Sequence, residues 1–191
     1  MNTDKLNLGC GENKKEDFIN LDWNPLTTPD VLHNLNVFPY PFMDNSMGLI
    51  EAYHVLEHTD APFLVMKELH RMLKDGGELK IKVPHFSRGF THAEHAHGFD
   101  VTFPLYFNKG FSRSGYLGFE FVLKSTKLRW VAYFYLLPFM GFGKFAIAFL
   151  RIVDFFISGL ANLSPALCSR MWCYLVGGFE EIEFILIAKK D

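Results

Sequence analysis

Along the first half of the chain the hydrophobic positions fall in short bursts separated by polar turns, a pattern of buried strands joined by brief connections. Residues 6–8, 18–21, 49–53 and 78–83 are the predicted strands. The last of them has period two, with Leu79, Ile81 and Val83 on one face and Glu78, Lys80 and Lys82 on the other. Between the third and fourth bursts the period lengthens to that of a helix: Leu64, Val65, Leu69, Met72 and Leu73 form its apolar stripe. Asp60 is its expected cap, Pro62 suits its first turn, and Lys74 with Gly76 and Gly77 is its expected stop. Strand, helix and strand with short links predict a parallel pair and a right-handed crossover.

Beyond Pro84 the texture changes. A histidine-rich stretch over 85–97 leads through aromatic residues to a predicted strand at 118–124, and a last strand over 180–188 places Ile182, Phe184, Leu186 and Ala188 on one face. Between them, residues 130–163 are almost entirely apolar. The span 131–150 carries one charge, Lys144, and is about long enough to cross a bilayer. Pro138, Gly141, Gly143 and Lys144 interrupt its middle and argue against a spanning helix. Residues 142–160 instead predict an amphipathic helix, with Lys144, Arg151, Asp154 and Ser158 on one face and Phe142, Phe145, Phe149, Ile152, Val153 and Phe156 on the other. Two fates for that apolar face stay open: a membrane interface, or a cap that buries it on the sheet.

Composition narrows the class. At 191 residues the chain suits a single domain over 1–191, with the apolar helical insertion at 125–178 between the last two strands. A net charge of −2 with scattered basic residues lacks the footprint of a nucleic-acid binder. Cys10, Cys168 and Cys173 have no framework spacing and fit buried thiols in a reducing compartment. The polar N-terminus is no secretory signal, so the expected location is cytoplasmic, with peripheral contact at the inner membrane face. The anomaly is 49% hydrophobic residues and 21 phenylalanines, concentrated in the second half, where a small globular core does not need them.

The candidate chemistry begins where the first strand runs into Gly9-Cys10-Gly11, a turn that lets a ligand approach bare backbone at the carboxyl edge of a sheet. An acid, Asp22, ends the second strand; then come Asp44-Asn45-Ser46, His54-Val55-Leu56-Glu57-His58, Leu73-Lys74-Asp75-Gly76-Gly77 and Val83-Pro84 in fixed order. In that order the chain resembles the class I S-adenosylmethionine-dependent methyltransferases, especially small members that open with Leu-Asn-Leu-Gly-Cys-Gly. The resemblance covers everything except roughly 117–159. It implies an α/β, Rossmann-like methyltransferase fold, mostly parallel with a C-terminal antiparallel strand, and S-adenosyl-L-methionine as cofactor. It also implies that backbone at Leu8, Gly9, Cys10 and Gly11 supports the methionine and ribose, that Asp22 takes the ribose hydroxyls, that Asn34 and Leu35 meet the adenine, and that His54 borders the bound cofactor.

Three departures from the family pattern stand out. Asp22 follows the glycines by about a dozen residues where dinucleotide folds leave about 20, which predicts a truncated first crossover. Asn34 stands where an acid is usual, and His97 stands where an arginine is usual in a segment, 91–99, that resembles the family's substrate-pocket stretch. His95 and Phe99 match that stretch. Methyl transfer from a sulfonium asks mainly for alignment and for a base if the acceptor starts protonated, so His95 is the first catalytic candidate and His54 the second. Glu57 and His58 read equally as helix-end hydrogen-bonding groups or as direct participants. His85, His92, Glu94, His95 and His97 are of ligand type, but no cysteine joins them and their spacing fits no metal signature, so no metal is assigned. The expected acceptor is a small or lipid-like molecule, apolar or membrane-associated. The alternative is a non-catalytic, cofactor-binding scaffold that docks a protein or membrane through its aromatic surface.

Overall fold

The computed structural model describes residues 3–89, 95–111 and 117–190. Seven strands form one sheet: β1 (Lys5–Leu8), β2 (Ile19–Asp22), β3 (Val31–Leu32), β4 (Met47–Tyr53), β5 (Leu73–Pro84), β6 (Glu120–Arg129) and β7 (Glu181–Lys189). Their order is β3-β2-β1-β4-β5-β7-β6. The first five pair in parallel, and β7 runs antiparallel to both β5 and β6. The chain leaves β1 toward β2 on one side and returns to β4 on the other, so the order reverses there and opens a crevice at the carboxyl ends of β1 and β4. The expected Rossmann-like architecture is the one observed.

The predicted alternation in β5 and β7 is realised: Leu79, Ile81, Val83, Ile182, Phe184 and Leu186 are all fully buried. No helix separates β1 from β2, as the short spacing to Asp22 requires. Side-chain amides hold that loop instead. Asn7 Nδ2 donates to Asn20 Oδ1 and to the Asn13 carbonyl, each at 3.0 Å, and Asn20 Oδ1 accepts from the Lys15 N–H at 2.8 Å. Both asparagines are 5% exposed, so these bonds are made away from competing water.

The one long helix of the first half, α1 (Pro62–Met72), buries Val65, Met66, Leu69 and Met72 completely. Three details differ from the expected pattern. Leu64 points outward at 52% exposure while Met66 takes the core position, Ala61 rather than Asp60 stands at the cap, and β5 starts immediately at Leu73, so Lys74 and both glycines belong to the strand. The Asp60 N–H donates to Asn36 Oδ1 at 3.0 Å, which draws this residue toward the preceding loop rather than over the helix end.

The second half departs more. β6 runs on to Arg129 through an irregularity between Leu123 and Ser125, so the insertion begins five residues later than the expected 125. Arg129 and Pro84 both pair with Glu181, which places the β6–β7 connection at the carboxyl edge, over the crevice. After the one-turn helix α2 (Phe86–Gly89), this connection holds α3 (Lys144–Ala161) and α4 (Pro165–Arg170). The predicted amphipathic helix exists, but its apolar face does not cover the sheet. Phe145 is 94% exposed, Phe149 65%, Phe155 73% and Phe156 62%. The polar face makes the attachment: Asp154 Oδ1 accepts from the Val131 N–H at 3.0 Å, Ser158 Oγ accepts from the Trp130 N–H at 3.0 Å, and Asn162 exchanges two 2.8 Å bonds with the backbone of Leu128. The buried-cap alternative is thereby overturned, because three polar side chains complete the unpaired backbone that continues from β6. Among the described residues no helix is long and apolar enough to cross a membrane.

Candidate active site

The crevice is built by the ends of four strands. β1 delivers Gly9, with φ +62°, and Gly11, with φ +50°, a region that favours glycine. The two glycines serve different needs. A Cβ on Gly9 would stand 2.5 Å from Val55 Cγ2, so this glycine lets β1 and the turn after β4 approach each other. A Cβ on Gly11 would meet nothing within 4 Å, so this glycine faces open space. The Gly11 N–H donates to Asp22 Oδ2 at 2.7 Å and the Asn24 N–H to Oδ1 at 2.8 Å, which fixes the carboxylate at the end of β2 with acceptor capacity left over.

Two cavities meet at Gly9, His54 and His58. One, of about 580 Å³, is lined by Asp22, Trp23, Asn34 and Leu35; the other, of about 830 Å³, by Gly11, Glu57, His95 and Tyr133. Asp22, Asn34 and Leu35, the residues expected around ribose and adenine, thus share one chamber, and the glycine turn with both histidine candidates borders the other. Leu8 is fully buried in the strand, and Cys10 is a buried free thiol whose pKa burial raises. Their side chains therefore support the turn from behind. An open approach at Gly11, a buried carboxylate at Asp22 and a continuous two-chamber cleft fit an extended nucleoside-containing cofactor.

His54 sits at φ +57°, a strained conformation for a residue with a Cβ. Its surroundings over-determine it. Nε2 lies 2.9 Å from Glu181 Oε2, and Nδ1 lies 3.1 Å from the Tyr133 hydroxyl and 3.4 Å from Glu57 Oε1. Burial alone would lower the imidazole pKa, but the bond to Glu181 and the contact with Glu57 reverse this and raise it to about 9. At neutral pH His54 is an imidazolium between two buried carboxylates. Glu180 joins the site differently. Its Oε2 accepts from the Ala132 N–H at 2.7 Å and the Tyr133 N–H at 3.2 Å, and its Oε1 lies 3.1 Å from Arg88. The start of the apolar insertion is thus tied down over the crevice.

The histidine stretch does not gather as one group. His85 is fully buried between Ser87 and Ser169, at 2.7 and 2.9 Å, and burial lowers its pKa to about 4. His97 Nε2 is 3.0 Å from the Thr59 carbonyl. His95 reaches the crevice, where its ring lies 5.0 Å from that of His58. Phe99, matched to the substrate-pocket stretch, is 3% exposed and packs edge-on to Phe103 in the core. Thr91, His92 and Glu94 lie outside the described residues. Sequence reasoning passed over Glu181, Glu180 and Tyr133. The adjacent acids at the mouth of an otherwise apolar strand were the visible signal for the first two; nothing local marked the tyrosine.

Residues 14–81 match the family described as methyltransferase domain. No curated protein matches the chain. Among solved structures it is similar to a putative sarcosine dimethylglycine methyltransferase from Galdieria sulphuraria, at 15% identity and TM-score 0.60, covering 100% of this chain and 79% of that one. It is also similar to an S-adenosylmethionine-dependent methyltransferase from Mesorhizobium loti (12%, TM-score 0.55, covering 97% and 91%) and to the YcgJ protein from Bacillus subtilis (12%, TM-score 0.55, covering 100% and 94%). At these identities the likeness speaks for the fold. The strand order, the glycine turn with its acid at the switch point and the likeness to these structures show a Rossmann-like fold of the methyltransferase type, within which residues 14–81 match a methyltransferase domain.

Proposed function

We propose that the chain is an S-adenosylmethionine-dependent methyltransferase that works at a lipid surface and methylates an apolar, membrane-borne acceptor that reaches the crevice beneath the β6–β7 insertion. The observation that carries the reading is the outward apolar face of α3. Most of the exposed large hydrophobic side chains among the described residues lie between Tyr135 and Leu175, in the segment over the carboxyl edge. Charge favours lipid over a second protein copy. Lys144 and Arg151 are exposed basic residues of α3, a third, Arg170, is exposed but lies 3.3 Å from Asp100, and the single acid of the segment, Asp154, is spent on the Val131 N–H. An apolar surface edged with cations suits anionic headgroups. The same segment supplies Tyr135 and Leu136 to the larger cavity, beside Tyr133 just before it, so the surface and the site are continuous along the chain.

In this reading backbone at Leu8, Gly9, Cys10 and Gly11 supports the methionine and ribose, Asp22 takes the ribose hydroxyls, and Asn34 and Leu35 meet the adenine. S-adenosylmethionine supplies an activated methyl group on a sulfonium. The chain aligns the acceptor and excludes water. His54, held as a cation, borders the cofactor and fixes Tyr133, while His95 is the group placed to receive an acceptor proton.

The test is flotation with vesicles containing phosphatidylglycerol. The native chain should float, and changing Phe145, Phe149 and Phe156 to serine should abolish this, since each interfacial phenylalanine contributes roughly 1.5 to 3 kcal/mol. Calorimetric affinity for S-adenosylmethionine should be unchanged in that variant. Asp22→Ala should do the opposite, losing roughly 1.5 to 3 kcal/mol of cofactor binding while still floating. A native chain that ignores vesicles and elutes as a dimer would give the apolar face to a second copy and end the membrane reading.

A further inference from the structure

A second constellation stands at the junction of the two cavities. Glu57, in the single 3-10 turn Leu56–His58, is fully buried, yet among the described residues neither of its carboxylate oxygens has a hydrogen-bond partner. Its nearest cation, His54, places its shorter contact on Glu181 at 2.9 Å and meets Glu57 at 3.4 Å. A fully buried carboxylate without hydrogen bonds is costly unless something binds it. Its immediate neighbours are ligand-type groups: one atom each from Glu57, His58 and His95 lie within 4.8 Å of one another.

The pairing is held by the backbone on both sides. The Ala96 N–H donates to the Glu57 carbonyl at 3.0 Å, and His97 Nε2 meets the Thr59 carbonyl at 3.0 Å. These bonds strap residues 95–97 to the turn after β4, so His95 faces Glu57 and His58 although it is far from them in sequence. We propose that Glu57, His58 and His95 form a binding site for a divalent first-row transition ion of the zinc class. Two imidazoles and one carboxylate are ordinary donors for such an ion, and three protein ligands leave coordination positions open toward the larger cavity. Bonds of about 2.0–2.2 Å set tetrahedral donors roughly 3.3 Å apart. The three donor atoms, within 4.8 Å of one another, have at most about 1.5 Å to close to reach that spacing.

The site stands on its own geometry. Its use, to hold an acceptor oxygen beside the methyl donor and favour its deprotonated form, rests on the proposed function; ligated in this way, His95 orients the ion rather than receiving the proton. The test uses the full chain after chelator treatment and desalting. Zinc chloride is titrated by calorimetry, bound metal is counted by plasma mass spectrometry, and cobalt(II) chloride is added as a spectroscopic substitute. One ion per chain is expected, with visible cobalt absorption of a four- or five-coordinate nitrogen and oxygen site. His58→Ala and His95→Ala should each weaken zinc binding by at least a hundredfold, and His97→Ala, which only loosens the strap, by about tenfold. Glu57→Gln can disturb a buried position, so the decision rests on His58→Ala, whose side chain is exposed and whose thermal unfolding in chelator should match the native chain. No zinc retained at micromolar concentration, or native-like affinity in both histidine variants, would overturn the site. Affinity for S-adenosylmethionine is measured on the same stripped protein. A chain that binds zinc and not the cofactor would overturn the functional reading and leave the ion site standing.

Discussion

Helices α1 and α3 are both amphipathic by sequence, yet α1 buries all of its apolar stripe except Leu64 and α3 turns its own to solvent. The difference lies in what their polar sides must satisfy. On α1 Glu68 accepts from the Tyr40 N–H at 3.0 Å, Arg71 donates to the Phe42 carbonyl at 2.8 Å and His70 Nε2 lies 3.0 Å from the Lys189 carbonyl, and all of these partners are reached while the apolar stripe lies on the sheet, so one orientation meets both demands. On α3 the polar stripe carries Asp154 and Ser158, with Asn162 just beyond, at the spacing needed to complete the N–H and carbonyl groups of residues 128–131. A backbone group left unpaired costs about 1–3 kcal/mol, and several of them together rival the burial of an apolar face. Periodicity therefore predicts that a helix exists, while neighbouring unpaired backbone can decide which face it shows.

The sharpest way to break this contrast is to cut into each stripe. Leu69→Ala in α1 should cost about 2–5 kcal/mol of folding stability, because Leu69 is fully buried and leaves a cavity. Phe149→Ser in α3, at 65% exposure, should leave the urea midpoint within the range of ordinary surface substitutions, about ±0.5 kcal/mol. Comparable losses in both variants would mean that α3 buries its phenylalanines in solution and that the two helices are alike.

Next in size is the joint between the two regions. His85 directly follows β5 and its Nε2 meets Ser169 of α4 at 2.9 Å, with no exposure to water. Burial lowers its folded pKa to about 4, against an unfolded value near 6.5. The unfolded chain therefore binds the proton first as pH falls. The stabilisation is fully present above about pH 6.5 and is lost progressively down to pH 4, an upper bound of about 3 kcal/mol. Urea unfolding at pH 7 and pH 4.5 should show this loss in the native chain and a clearly smaller one in His85→Gln. Equal losses would place the acid sensitivity in other groups.

How far the sequence could be read follows the same division. Strands whose partners are adjacent in the fold and whose faces alternate, such as 78–83 and 182–188, were legible because burial on one face dictates period two. That Gly9, Gly11, Asp22, Asn34 and Leu35 would gather along one crevice was legible too, because they lie at or just past strand ends where topology leaves little freedom. The polar anchors of α3 were visible as a stripe, but their targets, the backbone of 128–131, became strand and its continuation only in the fold. Glu181 and Tyr133 reach His54 and its near neighbour Glu57 from two distant segments, and no local spacing encodes that meeting. His85 and His95 were neighbours in one cluster on paper; the fold sends one into the core and the other to the crevice.

The finest test asks whether the anchors choose the face. Asp154 accepts from the Val131 N–H at 3.0 Å and from Ser158 Oγ at 2.9 Å, and Ser158 Oγ accepts in turn from Trp130 at 3.0 Å. Replacing Asp154 and Ser158 together by alanine removes both acceptors and adds apolar surface to the side that meets the sheet. Each lost bond is worth about 1 kcal/mol at half-buried positions that water can partly reach. Because α3 hangs outside the main core, global stability should fall by little more than that, while the Trp130 and Val131 amides should exchange with deuterium at least fivefold faster. Freed of the anchors, α3 should turn its phenylalanines inward, and binding of a hydrophobic dye should drop. Arg151→Ala, which removes only a cation 5.4 Å from the Phe134 ring, should change neither readout. Unchanged amide exchange in the double variant would mean that packing alone holds the helix, and the contrast with α1 would need another cause.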